Sequence, residues 1–138
     1  METVLQTAVA EADVITTVTT STATLIESSW VRAGTHISAM GSDKIGKQEL
    51  SPSLLERAKL FADHPAQSQE IGEFQHLPNA TQQLTAIGHA LREPDKHGYN
   101  PDTITIFDSS GIALQDISIA YGIYLHLKRE GRLRFIDM

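Results

Sequence analysis

Four short runs of apolar and β-branched residues constrain the fold of this chain more than any other feature. They cover residues 14–19, 35–40, 59–63 and 103–108. Segments with helical spacing separate them, and strands joined by helical crossovers pair in parallel. A chain of 138 residues is long enough for one domain. We therefore expect a single α/β domain over residues 1–138, with a mostly parallel sheet of about four strands and flanking helices.

The predicted helices follow from spacing and from capping residues. They cover residues 3–12, a helix that begins at Ser51-Pro52 with a capping hydroxyl, residues 66–92 with a break at Pro78-Asn79, and residues 112–130. Asn79 or Thr81 is expected to cap the helix after the break. Residues 25–33 are predicted as a weak helix or loop, and residues 94–101 as a polar loop. The C-terminal helix is rich in Ile, Ala, Leu and Tyr, and from its length we expect it to pack against more than one surface.

Composition limits the classes of partner. The net charge is −6 and the 11 basic residues are scattered, which argues against binding to nucleic acid or to an anionic membrane. The chain has no cysteine, so disulfides, thiolate chemistry and cysteine-based zinc sites are excluded. Its apolar runs are far shorter than the ~20 residues that span a bilayer. We expect a cytoplasmic protein without a signal peptide.

The predicted strand ends indicate where a site would lie. The carboxyl ends of parallel strands meet at one edge of a sheet, where ligands bind in open α/β folds. Residues 17–19, 40–43 and 108–111 and Asp63 should therefore lie together. Asp43 and Lys47 follow the second strand, and a carboxylate with a lysine four residues later can supply acid/base chemistry and an anion anchor. Spacing alone leaves an ordinary solvated loop equally open.

Other motifs in the chain are weaker. Residues 41–47 fit the phosphate-loop pattern G-x-x-x-x-G-K, but Gln48 stands where that loop requires Ser or Thr to hold Mg²⁺. The next helix also begins too late, near Pro52, for its N-terminus to bind a phosphate. The six histidines lack metal-ligand spacing, so no metal site is predicted. Residues 72–76 (Gly-Glu-Phe-Gln-His) are interpreted as a polar turn rather than a partner contact.

Three segments, in order along the chain, carry a family resemblance. They are ADVITTVT (12–19), GTHISAMGSDKIGKQEL (34–50) and FDSSGIALQD (107–116). Together they resemble the ornithine cyclodeaminase/μ-crystallin family, which also contains alanine dehydrogenases and imine or ketimine reductases. The resemblance implies a Rossmann-like three-layer fold, NAD as cofactor and an amino acid as substrate. The expected activity is that of an ornithine cyclodeaminase, a lyase that converts ornithine to proline. The alternatives are an imine reductase, an alanine dehydrogenase or a non-catalytic, crystallin-like interaction module.

The resemblance also assigns site residues. It implies that Asp43 is the catalytic acid/base and contacts the substrate, and that Ser110 lies in a substrate-contacting position. The implied cofactor-binding residues are Thr17, Thr19, Met40, Gly41, Ser42, Lys47 and Ser109.

One family feature has no counterpart in this chain. No G-x-G-x-x-G fingerprint occurs in the 138 residues. We therefore expect that the chain lacks the first half of the dinucleotide fold and the N-terminal substrate and dimerisation domain. Tight NAD binding and activity of the chain alone are then not expected. The first strand would have an unpaired edge, and such edges associate. This predicts a homodimer or a higher oligomer.

Overall fold

Seven strands form two parallel sheets in the computed structural model, which describes residues 2–77, 84–98 and 100–134. The larger sheet has the order β1-β3-β7-β5-β6, and β2 and β4 pair separately. The strands are β1 (Val14–Thr17), β2 (Thr22–Ile26), β3 (His36–Ala39), β4 (Gln48–Leu50), β5 (Lys59–Ala62), β6 (Leu84–Ala86) and β7 (Thr105–Asp108). Every strand pair is parallel. The domain is therefore a Rossmann-like α/β fold.

Helices and 3-10 turns connect these strands. They are α1 (Glu2–Glu11), α2 (Pro52–Glu56), α3 (Pro65–Glu70), α4 (Ile87–Arg92), α5 (Pro94–His97) and α6 (Ala113–Arg129), with 3-10 turns at Ser28–Trp30 and Glu73–His76. None of the helices in the described ranges is long and apolar enough to cross a bilayer.

The core lies on one face of the central strands. Side chains alternate between the two faces of a strand, and along β3 and β7 every second residue is fully buried. Ile37 lies opposite Ile106 in the register, and Leu60 of β5 lies opposite Ile106 on its other side. Leu54 and Leu55 of α2 belong to the same buried cluster. This packing fixes the positions of the strand ends.

The four predicted strands are confirmed as β1, β3, β5 and β7, each shorter than predicted by one or two residues. Three strands were not predicted. Residues 25–33, predicted as a weak helix or loop, contain the end of β2 and a 3-10 turn, and the region predicted as helical at residues 66–92 contains β6. Strand β4 lies in the loop that follows β3. These strands have three to five residues. Segments β2 and β4 are extended because they pair with each other, although they are distant in the sequence.

The helices also differ from the predictions in detail. The predicted polar loop 94–101 contains the short helix α5. Ser51 is the N-cap residue directly before α2, but its hydroxyl accepts a hydrogen bond from the Ser28 amide (3.0 Å) and not from a helix amide. Helix α6 is one residue shorter than predicted at each end, and none of its residues is buried against the described parts of the chain, contrary to the expected packing. The predicted break at Pro78-Asn79 and the caps at Asn79 or Thr81 lie outside the described residues.

Candidate functional site

The parallel register brings the predicted strand ends to one edge of the sheet. Thr17 of β1 lies opposite Ala39 of β3, Ala39 lies opposite Asp108 of β7, and Asp108 lies opposite Ala62 of β5. Backbone hydrogen bonds continue beyond the strands, since the Met40 amide donates to the Thr17 carbonyl (2.8 Å) and the Ser109 amide to the Ala39 carbonyl (3.0 Å). The segments that carry the predicted site residues are therefore held side by side.

Residues 40–47, the site loop, leave β3 at this edge and fold back on themselves. The Lys47 ammonium donates to the Asp43 carboxylate (2.6 Å) and to the Gly41 carbonyl (3.1 Å). The Asp43 side chain is 61% exposed, whereas that of Lys47 is 19% exposed. The hydrogen bond from Lys47 holds the pKa of Asp43 below its usual value. The loop therefore presents a carboxylate that is ionised at neutral pH and open to a ligand.

Other predicted residues of the loop differ in exposure. Met40 is 41% exposed at the end of β3, so it is open to a ligand. Ser42 is fully buried, and its hydroxyl donates to the Lys47 carbonyl (3.2 Å) inside the loop. Thr17 is buried at the end of β1, and its hydroxyl oxygen has no hydrogen-bond partner among the described residues. In the site loop, Asp43 and Met40 are thus exposed to solvent, whereas the buried Ser42 stabilises the loop through its hydrogen bond to Lys47.

A buried carboxylate holds the ends of β1 and β3 together. Glu49 is fully buried, and its oxygens accept hydrogen bonds from the backbone amides of Thr19 (2.7 Å) and Gly41 (3.2 Å). A Cβ at Gly41 would lie 2.5 Å from a Glu49 oxygen, so any larger residue there would displace the Glu49 carboxylate. Two predicted cofactor-binding residues, Thr19 and Gly41, are therefore positioned by their backbone amides.

Two further buried carboxylates continue this arrangement. The Glu73 carboxylate accepts hydrogen bonds from the amides of Glu49 (3.0 Å) and Leu50 (2.7 Å). The Glu73 amide in turn donates to Asp108 (3.1 Å), which also accepts from the Ser68 hydroxyl. The other Asp108 oxygen is buried without a partner in the described part of the chain. Burial raises the pKa of both carboxyl groups to about 7, and mutual repulsion with neighbouring carboxylates adds to the rise.

The end of β7 carries the remaining predicted residues. The Ser109 hydroxyl donates to Asp63 (2.8 Å), which also accepts from the Gly111 amide (3.2 Å). The Ser110 hydroxyl accepts from the Gln67 side chain (3.0 Å). Asp63 was predicted to lie at this edge, and here it anchors the turn that follows β7. No group of three His, Asp or Glu side chains in the described ranges is arranged to hold a metal ion.

Comparison with known proteins identifies the family. The family model described as "Ornithine cyclodeaminase/mu-crystallin family" matches residues 2–131. The chain belongs to this family. It is 42% identical to the iminosuccinate reductase of Paracoccus denitrificans over 94% of this chain and 41% of that protein. It is 35% identical to the ornithine cyclodeaminase of Brucella abortus over 95% of this chain and 37% of that protein.

Solved structures of family members have the same fold. The iminosuccinate reductase of Paracoccus denitrificans in complex with NAD⁺ superposes with a TM-score of 0.85 and 38% identity, over 97% of this chain and 42% of that chain. An archaeal alanine dehydrogenase dimer with bound NAD gives a TM-score of 0.84 and 32% identity, over 92% and 41% of the two chains. This member of the family therefore spans about two-fifths of the length of these relatives.

Sequence reasoning missed the buried carboxylates of this family member. Glu49 was part of the motif that carries the resemblance, but no role was predicted for it, and Glu73 was interpreted as part of a polar turn. The available signal was Gly41 eight residues before Glu49 and Gly72 directly before Glu73. A Cβ at Gly72 would lie 2.2 Å from an Asp108 oxygen. Glycines at such positions mark a close approach, but they do not identify the approaching group.

The raised pKa values predict how stability depends on pH. In the unfolded chain a glutamate has a pKa near 4.3, so between about pH 4 and 7 the folded chain holds a proton that the unfolded chain releases. The free energy of unfolding should fall as the pH rises through this range. Glu73→Gln keeps an oxygen that can accept from the Glu49 and Leu50 amides and removes the charge. It should be more stable than the wild type above pH 7, by up to about 3 kcal/mol.

Urea denaturation at pH 5, 6, 7 and 8 measures this effect. The stability of Glu73→Gln should fall less steeply with pH than that of the wild type. Glu70→Gln, a change at an exposed position of α3, is the matched control and should keep the wild-type slope. Parallel slopes for all three proteins would show that Glu73 is not the titrating group.

Proposed function

We propose that this chain contributes the nicotinamide side of a site for NAD-dependent chemistry at the Cα–N bond of an amino acid. The observation that carries the proposal is the exposed Asp43 carboxylate, kept ionised by Lys47 at the carboxyl end of β3. An ionised carboxylate can take a proton from an amine and return it to the nitrogen of an imine. That exchange is common to amino-acid dehydrogenases, imine reductases and cyclodeaminases.

The residues at this edge fit the nicotinamide half of NAD. Met40 offers apolar surface at the end of β3, and Thr17 supports the end of β1, where its hydroxyl oxygen is buried. Thr19, Gly41, Ser42, Lys47 and Ser109 would complete the contacts or support the residues that make them. When bound, NAD accepts or donates the hydride. No glycine fingerprint for the adenosine half occurs in the 138 residues, so we expect weak binding by this chain alone.

Asp43 would act at the substrate nitrogen. In the direction of oxidation the amino acid loses a hydride from Cα to NAD⁺ and a proton from nitrogen to the Asp43 carboxylate, which leaves an imine. In the direction of reduction Asp43 returns the proton to nitrogen while Cα regains the hydride. The Lys47 ammonium keeps Asp43 ionised, which is the form that can accept a proton. Ser110, held by Gln67, lies at the neighbouring strand end for contact with the substrate.

The finer choice lies between ornithine cyclodeaminase, as the resemblance first suggested, and imine reductase. The higher identity to the iminosuccinate reductase, 42% against 35%, favours imine reduction. The two activities differ in their electron balance. Imine reduction consumes one NADH for each product, whereas deaminating cyclisation returns the hydride and leaves the amount of NAD⁺ unchanged.

Ligand fragments test the proposed half-site in the chain as it is. Reduced nicotinamide mononucleotide should shift the NMR amide signals of Thr17, Gly41 and Ser109, with a midpoint on the order of millimolar because a fragment makes few contacts. Adenosine monophosphate at the same concentration is the matched control and should leave those signals unchanged. Shifts confined to the opposite ends of the strands, near Thr35 and Ile104, would contradict the proposal.

Two other outcomes would overturn parts of this proposal. Saturable NADH binding with a micromolar dissociation constant would show that the chain forms a complete cofactor site. Binding of neither fragment, together with a stable oligomer, would favour the alternative that the chain is a non-catalytic interaction module.

We also propose that the chain forms a homodimer or a higher oligomer. Within the described residues β1 pairs only with β3, so its other backbone edge is open. Helix α6 exposes an apolar stripe of residues spaced three and four apart: Leu114 (69% exposed), Ile117 (63%), Tyr121 (61%) and Tyr124 (39%). This spacing is that of helices that pack in pairs. Exposed apolar surface of this extent marks an interaction site.

The same substitution on two faces of α6 tests this association. Ile117→Lys places a charge in the stripe and should shift the oligomer towards monomer in sedimentation velocity at micromolar concentration. Ile119, also exposed, lies about 200° around the helix from Ile117. Ile119→Lys should therefore leave the association unchanged. A monomeric wild type at that concentration would contradict the proposal, and equal effects of the two variants would contradict the stripe as the contact.

A further inference from the structure

We call residues 72–76 the clasp. The clasp contacts backbone groups of the site loop and of β4, the strand that follows this loop. Gln75 accepts a hydrogen bond from the Gly46 amide (2.8 Å) through its side-chain oxygen. Its side-chain nitrogen donates most closely to the carbonyls of Gly72 (2.9 Å) and Ile71 (3.2 Å), and the loop carbonyls of Lys44 (3.3 Å) and Lys47 (3.4 Å) lie slightly farther away. Gln75 therefore connects its own segment to the site loop, and its shortest hydrogen bond to the loop is the one from the Gly46 amide.

The shortest hydrogen bond between the clasp and the site loop is made by His76 at Lys47. The Lys47 carbonyl is 2.6 Å from Nε2 of His76. A carbonyl oxygen only accepts, so Nε2 of His76 must carry the proton. The same carbonyl accepts from the Ser42 hydroxyl (3.2 Å). The backbone of Lys47 is thus fixed by side chains from the loop and from the clasp, and its ammonium reaches Asp43 from that fixed position.

The clasp is itself anchored in the core. Phe74 is 1% exposed and belongs to the main apolar cluster. The Glu73 amide donates to Asp108 at the end of β7 (3.1 Å). Gly72 allows this approach, since a Cβ there would lie within 2.9 Å of both Asp108 and the Ser68 backbone. A rigid anchor on one side and hydrogen bonds to the loop on the other are the requirements for positioning a site.

We propose that the clasp is a positioning segment, in which Gln75 and His76 hold Lys47 and the site loop so that the ammonium stays on Asp43. The consequence of the clasp for catalysis rests on the proposed function, but its effect on the hydrogen bond between Lys47 and Asp43 does not. Neither side chain needs to touch a substrate. Loss of either contact should loosen the loop and reduce the time that Lys47 spends on Asp43.

The pKa of Asp43 reports this position directly. The hydrogen bond from Lys47 is the main cause of its lowered value. In Gln75→Met and in His76→Phe, NMR titration of the Asp43 carboxyl carbon should show the pKa moving up towards the ordinary value. Each variant keeps the size of the side chain roughly and removes its hydrogen bonds to the loop. Gln69→Met, at an exposed position of α3, is the matched control and should keep the wild-type pKa.

The thermal midpoint, measured on the same samples, separates positioning from general stability. A residue with only a structural role would lower the midpoint and leave the pKa of Asp43 in the folded chain unchanged. That result in both clasp variants would overturn the proposal. Because the titration needs no ligand, it stands apart from the fragment-binding test. A raised pKa together with no binding of nicotinamide mononucleotide would support the clasp and contradict the proposed function.

Discussion

The rest of this structure depends on one constraint: its buried carboxylates must accept hydrogen bonds from backbone amides. An ionisable group can be buried only if its oxygens find donors or if it stays protonated. Glu49, Glu73 and Asp108 are fully buried, and each accepts at least one backbone amide. Their bonds join the segment after β1, the site loop, β4, the clasp and the end of β7. Hydrogen bonds to buried polar groups are costly to remove, so each of these segments is tied to the others.

This arrangement explains how a small domain keeps an exposed site in a defined geometry. Loops at strand ends are usually mobile because water competes for their backbone groups. Here the amides of Thr19 and Gly41 are satisfied from inside by Glu49, and the loop that follows is held by the clasp. Asp43 can therefore be exposed at 61% while its partner Lys47 remains largely covered. The ionised carboxylate is the chemical group that the proposed reaction needs at the substrate nitrogen.

The sequence predicts some parts of this fold well, and the physical reason differs from part to part. Buried parallel strands are continuous apolar runs, so β1, β3, β5 and β7 could be recognised. Strand β4 has only three residues, Gln48–Leu50, and β6 is as short. No periodicity can be read from so few residues, and pairing partners decide their conformation. The packing predicted for α6 from its length was wrong, since none of its residues is buried within the described chain.

The residues of the candidate site likewise divide into those that the sequence could predict and those that it could not. Asp43 and Lys47 could be recognised as candidates because a spacing of four residues is visible locally, but the hydrogen bond between them was not predicted. The burial of Glu49 could not be predicted, because its hydrogen-bond donors lie 30 and 8 residues away and a glutamate is expected at the surface. The clasp was interpreted as a turn, which is correct for its backbone. Its contacts with the loop depend on side chains that converge only in the folded chain.

Amide hydrogen exchange tests the central claim, that buried carboxylates hold the strand ends. The amides of Thr19, Gly41 and Glu73 lie outside the regular strands and bond to carboxylates. If these bonds form the framework of the site, the three amides should exchange as slowly as those of Ile37 and Ile106 in the central strands. Exchange as fast as at the exposed residues Lys44 and Ile45 would contradict the account.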